Sequence, residues 1–282
     1  MSSPEDSPPD VPAQRSRTMV VSFLGAVVHQ LGSWMPIGGC VELMTEAGLD
    51  AQSVRTTVFR LKRRGWLASQ SRTDVRGYAL TPTSLAALTT GDEIIWHARP
   101  PADLADGWSI VSFSVPETDR TKRHQLRSGL SGLGYGNVGS GVWIAPARAH
   151  ASAQRAVEEL GLLHRCAMFL GHYAAGEDLP DLLADSWDLT AIDGRYRAFL
   201  EDHAPLAARL AEGHIDPPAA FVAYLRVVDH WRKLPYRDPG LPEAVLPPGW
   251  SAPAAGALFE QLVAALQAPA LAHAARHWPD PV

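Results

Sequence analysis

Basic and hydroxyl-bearing side chains are concentrated between positions 52 and 64, where the sequence is QSVRTTVFRLKRR. Val54, Val58 and Leu61 recur at i, i+4 and i+7, a spacing that predicts a helix with these three residues packed inward. Such a helix turns its polar and cationic side chains outward. The chemistry to expect from that outer face is the binding of a polyanion.

Both ends of this helix are marked in the sequence. Asp50 or Ser53 can accept hydrogen bonds from free N–H groups at the start, and Gly65 supplies the left-handed residue at the end. A short basic helix suits the major groove of DNA, where Arg pairs with guanine, Gln with adenine, and Thr with phosphate or a thymine methyl. The candidate DNA contacts on the helix are Gln52, Ser53, Arg55, Thr56, Thr57, Arg60, Arg63 and Arg64.

The flanking sequence predicts a winged helix-turn-helix. Residues 37–47 form a preceding helix, and residues 48–50 are the tight turn. Residues 66–72 and 77–81 form two short strands joined by residues 73–76, which makes Arg72 and Arg76 further candidates for phosphate or minor-groove contacts. A basic run alone is more often a solvated helix face, but here the turn, cap, apolar stripe and hairpin occur in one consistent order.

Charge is distributed unevenly along the 282 residues. Residues 15–76 carry nine Lys or Arg against four Asp or Glu, whereas the whole chain has a net charge of −5. A local basic patch matters more for a polyanion than the net charge. The two cysteines provide no disulfide framework and are expected to be buried thiols. We expect no secretory leader and no membrane span, and therefore a cytoplasmic protein.

The fold class indicated is a multidomain α+β protein. Residues 1–17 are rich in Pro, Ser and Asp and are expected to be a disordered tail. The winged helix-turn-helix domain would span residues 18–96, with its first helix beginning at Thr18. Residues 106–175 alternate strand, helix, strand, helix and strand, which indicates a central ferredoxin-like α/β domain. Residues 180–282 would form a mostly helical C-terminal domain.

Two patterns that resemble cofactor or metal sites are set aside. Residues 134–139 match GxGxxG, but they leave a helix and enter a strand, the reverse of a dinucleotide loop, so we expect a flexible turn or a close backbone approach. His273 and His277 have a chelating i, i+4 spacing, but no third ligand is evident, and exposed helix histidines are expected. The prediction is therefore no cofactor and no metal.

A site for an anionic aromatic ligand is the remaining candidate. The sequence has nine Trp, most of them expected in the core, and isolated Arg residues in its middle and C-terminal regions. An aromatic cleft with a cationic rim would suit such a ligand. The residues chosen for this character are Trp143, His172, Tyr173, Trp187, Arg195 and Arg226.

Taken together, the segments resemble the PaaX family of bacterial transcriptional repressors, which regulate phenylacetic acid catabolism. The resemblance rests on SVRTTVFRLKRRGWL at 53–67, GYALTP at 77–82, GVWIAP at 141–146, WDL at 187–189, DPGLP at 238–242 and LPPGW at 246–250. These segments span nearly the whole chain outside its N-terminal tail, in the family's order.

The resemblance implies a dimeric repressor bound to double-stranded promoter DNA of an aromatic-acid operon and released by an aryl-CoA thioester such as phenylacetyl-CoA. It also implies a central domain similar to a small CRISPR-associated nuclease subunit. The first strand of that nuclease ends in a catalytic aspartate, which is absent here; Glu117 and Asp119 follow only in the loop. We therefore expect no enzyme activity. The alternatives are a nucleic-acid-processing enzyme that docks through the winged helix, and a regulator with another effector or a protein partner.

Overall fold

The computed structural model describes residues 11–96, 101–176, 178–213 and 215–279. These residues form two compact units. The terminal unit comprises the described residues within Met1–His97, Leu200–Arg232 and Gly256–Val282. The central unit comprises those within Ala98–Phe199 and Lys233–Ala255.

The N-terminal part of the terminal unit combines helices with a small sheet. Its helices are α1 (Val11–Phe23), α2 (Ile37–Glu46), α3 (Ala51–Arg63) and α4 (Pro82–Ile95), and a π-helical turn, Leu24–Val28, extends α1. Its strands are β1 (Trp34–Pro36), β2 (Leu67–Arg72) and β3 (Val75–Leu80), paired in the antiparallel order β1-β3-β2. The elements α2, α3, β2 and β3 follow one another in the predicted order.

The β2–β3 hairpin closes through a two-residue turn. Thr73 and Asp74 both have positive φ, at 48° and 62°. This backbone suits the right-handed twist of paired strands, and Asp tolerates it better than most residues. The turn is shorter than the loop 73–76 expected from the sequence, and Arg76 therefore lies within β3, paired with Ser71.

Three later helices contribute to the terminal unit. They are α8 (Leu189–Glu212), α9 (Pro217–Trp231) and α10 (Ala252–Ala275). The division between the two units falls inside α8, so its C-terminal part belongs with α9 and α10 in the terminal unit. Phe23 and Phe221 meet edge to face at 6.3 Å, and Trp231 stacks on Phe259 at 4.6 Å.

A buried polar network joins α1 to α9. The Ser22 hydroxyl donates to Asp229 Oδ1 at 2.7 Å, and Arg232 Nε donates to Ser22 Oγ at 2.6 Å. Arg232 Nη2 also donates to the Thr18 carbonyl at 3.1 Å. Asp229 as a whole residue is only 6 % exposed. A charge this deep is tolerated because it is paired and hydrogen-bonded.

The central unit is built on a four-stranded antiparallel sheet. Its strands are β4 (Trp108–Phe113), β5 (Gly136–Gly139), β6 (Val142–Pro146) and β7 (Cys166–Gly171), in the order β5-β6-β4-β7. Helix α5 (Arg120–Gly132) follows β4, α6 (His150–Glu159) follows β6, and α7 (Leu179–Ser186) follows β7. This is the β-α-β-β-α-β order of the ferredoxin-like fold.

Alternate residues of β4 supply two separate hydrophobic clusters. Val111 packs with Leu126, Leu130 and residues of α6, and Trp108 packs with Leu183 and residues that include Val245. The period-2 alternation expected of a strand thus buries both faces of this sheet.

Several sequence-based boundaries differ from the structure. Residues 11–17 belong to α1 rather than to a disordered tail, and residues 1–10 lie outside the described residues. Strand β1 is not among the predicted elements, and β5 lies where the glycine-rich sequence predicts a turn. The units also differ from the three consecutive domains expected, because residues 200–232 and 256–279 pack with the N-terminal elements. Tertiary packing of this kind leaves no local sequence signal.

One described helix, α10, is long and apolar enough to cross a membrane by its length and composition alone. This is weak evidence, because the core helix of a soluble protein meets the same criteria. Phe259, Leu262 and Leu266 of α10 are buried.

Candidate nucleic-acid interface and ligand pockets

Helix α3 is fixed at both ends by the residues expected to fix it. The Asp50 side chain accepts a hydrogen bond from the Ser53 backbone N–H at 2.8 Å. That hydrogen bond lowers the pKa of Asp50, because it favours the charged carboxylate. At the other end, Gly65 has φ +75°, the left-handed conformation that terminates a helix at low steric cost.

The buried face of α3 is wider than the apolar stripe. Val54, Val58 and Leu61 are buried as predicted, and Thr57 is buried beside them at 7 % exposure. Thr57 therefore lies on the inward edge of the helix, and its role as a DNA contact stays a prediction. For a Ser or Thr at the edge of an apolar stripe, the sequence pattern does not predict whether the side chain is buried or exposed.

The remaining candidates on α3 stay accessible. Ser53 and Thr56 are partly exposed. The exposed members are Gln52, Arg55, Arg60, Arg63 and Arg64. Together they form a cationic surface along one side of the helix and around its C-terminal end.

Phe59 is not among the DNA contacts predicted from the sequence. It lies between the exposed arginines of α3 and is 56 % exposed. Successive helical residues are rotated by 100°, which brings Phe59 close to Gln52 and Arg63 at the centre of the outward face. Exposure of a large aromatic ring to water is unfavourable, so folding alone does not explain the choice of Phe at this position. The helical spacing alone was enough to identify it.

The hairpin presents two arginines. Arg76 is exposed on β3, and Arg72 is exposed on β2 with its guanidinium 5.1 Å from the centre of the Trp34 ring. The Trp34 N–H donates to the Gln70 carbonyl at 3.0 Å, so the same indole also holds β2. This contact orients Arg72 along the surface of the sheet.

A capping box joins the hairpin to α4. The Thr81 hydroxyl donates to the Gly65 carbonyl at 2.6 Å, and the Ser84 hydroxyl donates to the Trp66 carbonyl at 2.7 Å. Thr81 and Ser84 also cap each other at the start of α4. Because Gly65 and Trp66 directly follow α3, these bonds fix the position of the hairpin relative to the C-terminal end of α3.

The central unit has a polar concavity of about 820 Å³ at the end of β4. Its lining includes four cationic or protonatable side chains, those of Arg123, Arg127, His164 and Arg165. Trp143 lines it as well, with the Arg127 guanidinium 5.9 Å from its ring centre. An anionic ligand with an aromatic part would find both matching groups here.

Trp143 also has an unsatisfied donor. Its side chain is 5 % exposed, and among the described residues its indole N–H has no hydrogen-bond partner. Buried N–H groups are nearly always paired, so an unpaired one beside a concavity indicates a position where a ligand or water would accept.

The six residues chosen for an aromatic ligand site do not line a single concavity. Trp143 lines the one in the central unit. Arg226 lines a second, apolar concavity of about 710 Å³ in the terminal unit, together with Glu46 and Arg209. Neither lining includes His172, Tyr173, Trp187 or Arg195.

Trp187 packs on the backbone of the glycine-rich segment 134–139. A Cβ on Gly136 would lie 2.6 Å from the Trp187 ring, so the ring packs directly on that backbone. The Trp187 N–H donates to the Gly134 carbonyl at 3.2 Å. The close backbone approach expected for the 134–139 glycines is therefore present, although residues from Gly136 onwards form β5 rather than a flexible turn.

The end of β4 presents hydroxyl groups where a nuclease of related fold would need a carboxylate. Ser112 and Ser114 line the concavity there. Glu117 forms an ion pair with Arg123 at 2.6 Å, and Asp119 is exposed beyond it. The two acidic residues considered for an enzymatic alternative are thus absent from the lining of this concavity.

Comparison with known proteins decides the family. Three family models match the chain in succession: PaaX-like protein over residues 15–84, PaaX protein central Cas2-like domain over residues 101–183, and PaaX-like protein C-terminal domain over residues 187–276. The chain belongs to the PaaX family. The central Cas2-like match agrees with the ferredoxin-like strand order of the central unit.

Two individual proteins are similar to this PaaX-family chain. The transcriptional repressor PaaX of Escherichia coli strain K12 is 26 % identical over 240 residues, which cover 83 % of this chain and 75 % of the relative. The uncharacterized protein Rv0674 from Mycobacterium tuberculosis has a solved structure that matches with a TM-score of 0.61 at 23 % identity, covering 91 % of this chain and 97 % of that one. The second likeness concerns the fold alone.

Proposed function

We propose that this PaaX-family chain is a DNA-binding transcriptional regulator that acts as a repressor on promoter DNA. The observation that carries the proposal is the outward face of α3, which is rigidly capped and exposes Arg55, Arg60 and Arg63. The name of the Escherichia coli relative, a transcriptional repressor, supports the same function. Such a regulator is not an enzyme and works in the cytoplasm, where bacterial DNA lies.

In this proposal α2, α3 and the β2–β3 hairpin act as a winged helix-turn-helix. Helix α3 enters the major groove, where exposed arginines pair with guanine and Gln52 with adenine. Phe59, at the centre of that face, contacts the methyl group of a thymine. Arg72 and Arg76 of the hairpin bind neighbouring phosphates or the minor groove.

The direct test is binding of the purified protein to the DNA upstream of its own gene, at fixed salt and with excess competitor DNA. Arg55→Ala and Arg60→Ala should each weaken specific binding by about 1–3 kcal/mol, the usual contribution of a paired base contact. Arg155→Ala is the matched control, because it removes an exposed arginine from α6. If both α3 variants bind as well as the control, α3 is not the reading helix.

We further propose that the repressor is a homodimer, since two half-sites one DNA turn apart require two reading helices. Strand β7 is a suitable surface for a second copy. It lies at an edge of the central sheet, and its Phe169 and Leu170 are 56 % and 59 % exposed. Exposed apolar edge strands readily pair with another chain, and two-fold pairing would cover both copies equally.

The oligomeric state tests this surface. The unmodified chain should elute with twice its mass of 30.4 kDa in light scattering. Leu170→Lys places a charge in the proposed interface and should give the monomer mass with an unchanged circular dichroism spectrum. A variant that remains dimeric would place the interface elsewhere.

We propose an aryl-CoA thioester, such as phenylacetyl-CoA, as the effector that releases DNA from an aromatic-acid operon. The concavity of the central unit supports it: Arg127 and Arg165 suit phosphate groups, and Trp143 suits a ring. The apolar concavity of the terminal unit, with Arg209 and Arg226, is the other location considered.

Release of labelled promoter DNA by added thioester distinguishes the two locations. Arg127→Ala should raise the thioester concentration needed for release if the central concavity binds it, and Arg226→Ala should do so if the apolar one does. Arg120→Ala is the control, because it removes a charge from the same helix as Arg127 without altering either lining. If no thioester releases the DNA, the repressor has another effector.

A further inference from the structure

Four protonatable side chains meet where the last helix of the terminal unit packs against α2. Glu42 and Glu46 lie one turn apart on α2, and His273 lies near the end of α10, with His277 in the turn that follows. The main chain is unusually close here, since a Cβ on Gly39 of α2 would lie 2.8 Å from the His277 carbonyl oxygen. His273 is 6 % exposed, whereas the sequence suggested an exposed helix histidine.

Three of these side chains converge on one point. One potential ligand atom from each of Glu46, His273 and His277 lies within 4.8 Å of the others. The closest approach joins His273 Nε2 to Glu46 Oε2 at 2.7 Å, and His277 Nε2 lies 3.9 Å from Glu46 Oε1. Zinc binds nitrogen and oxygen ligands at about 2.0–2.2 Å, so a small opening of the His273–Glu46 contact accommodates the ion.

The surroundings of His277 favour coordination through Nε2. Its other nitrogen, Nδ1, lies 2.9 Å from Glu42 Oε2. Ligating histidines usually donate their second N–H to a carboxylate, which fixes the tautomer and directs the free lone pair at the metal. Glu42 is in the position to do this for His277.

We propose that Glu46, His273 and His277 form a binding site for one divalent cation of the zinc class, supported by Glu42. Two histidines and a glutamate are a common zinc ligand set that leaves the fourth tetrahedral position open. The third ligand was not apparent in the sequence because Glu46 precedes His273 by 227 residues. The proposal stands on this geometry and does not depend on DNA binding.

Arg276 opposes the ion in the observed arrangement. Its Nη2 lies 2.9 Å from His273 Nδ1, and a guanidinium only donates, so that nitrogen accepts and the N–H of His273 is on Nε2. Ligation by Nε2 requires the proton to move to Nδ1, which displaces the guanidinium. Arg276 is exposed and has room to turn into solvent.

An ion at this site would link the end of the chain to the helix that precedes α3. The Trp278 N–H already donates to the Trp34 carbonyl at 2.8 Å next to the site. A metal bound only by the folded protein stabilises it by mass action. The expected consequence is a higher melting temperature of the full-length protein in the presence of zinc.

The test is a zinc titration of the metal-free full-length protein, followed by calorimetry and thermal unfolding, with cobalt absorption as a report of coordination geometry. One equivalent should bind tightly. His277→Gln, at a half-buried position, should abolish the tight binding, and Glu42→Gln should weaken it by about 10–100-fold, as for other outer-shell partners. His164→Gln, an exposed histidine of the central unit, should bind as the unmodified protein does.

Arg276→Gln makes the test specific to His273, because it removes the competing guanidinium from His273 Nδ1 and leaves all three proposed ligands unchanged. This variant should bind zinc more tightly than the unmodified protein. Absence of tight binding, or binding that His277→Gln leaves unchanged, would overturn the site. Binding that is lost in His277→Gln but indifferent to Arg276→Gln would overturn His273 as a ligand.

Discussion

Phe59 provides the sharpest test of the proposed reading helix. Its ring is 56 % exposed at the centre of the outward face of α3, so it contributes little to folding. If α3 lies in the major groove, the ring has one natural partner there, the methyl group that distinguishes thymine. Replacement of that thymine by deoxyuridine removes the methyl group and leaves every hydrogen-bonding group of the base intact.

The size of the effect follows from the apolar contact. Removing the buried methyl group from one half-site costs about 0.8 kcal/mol of binding free energy, and removing it from both half-sites of a dimer costs about twice that. Since 1.4 kcal/mol corresponds to a tenfold change, deoxyuridine at the contacted positions should weaken binding by roughly 15-fold. Phe59→Ala should change the free energy of unfolding by less than about 0.5 kcal/mol, as expected for an exposed position.

The assay is fluorescence anisotropy with labelled promoter DNA in which the thymines at symmetry-related positions of the two half-sites are replaced by deoxyuridine, one pair at a time. The unmodified protein should be sensitive at one symmetric pair of positions, and Phe59→Ala should bind the thymine and deoxyuridine forms equally at that pair. If Phe59→Ala retains the full sensitivity, the ring does not read the methyl group. If it binds all DNA normally, Phe59 lies outside the interface.

Three further predictions concern stability. Asp229→Ala should lower the free energy of unfolding, measured in urea, by about 3 kcal/mol, because it leaves Arg232 and the Ser22 hydroxyl without their buried carboxylate. If the losses of Asp229→Ala and Ser22→Ala simply add in the double variant, the two side chains do not form a network. Gly136→Ala should cost about 1–3 kcal/mol, since the new Cβ would overlap the Trp187 ring, and an unchanged urea midpoint would show that the ring yields. Burial and the adjacent His230 lower the pKa of His203 from 6.5 to about 4. As the pH falls between these two values, the unfolded chain takes up a proton at His203 before the folded chain does, so the free energy of unfolding should decrease. In His203→Gln this decrease should be smaller.

Helix α3 was predictable because its determinants are local. The cap on Asp50, the apolar stripe and the left-handed Gly65 all lie within 16 consecutive residues, and the structure places each as expected. The edges of its buried face were less predictable. Thr57 is buried although it is polar, and Phe59 is exposed although it is apolar. Packing against neighbouring elements, and not polarity alone, sets how much of the helix is covered.

Strand β5 shows why other elements could not be predicted. Residues 136–139 contain two glycines, which favour a turn when read locally. They become a strand because β6 supplies backbone partners, with Asn137 opposite Trp143, and because Trp187 packs on Gly136. The same reasoning applies to the metal-binding candidate, whose ligands come from α2 and from the end of the chain. Neither arrangement exists before the tertiary structure forms.

The helices that form the terminal unit suggest how a ligand in its apolar concavity would affect the proposed reading helix, α3. The apolar concavity is lined by Arg226 of α9 and by Glu46, the last residue of α2, and only residues 47–50 separate α2 from α3. A ligand shifts an equilibrium only if it binds two conformations with different affinity. A molecule in this concavity would contact both α9 and the end of α2, so it would favour the conformation in which these contacts are best. Since α9 also packs on α1, and α1 on α3, a shift of α9 caused by such a ligand would be passed to α3 through packed helices of one unit.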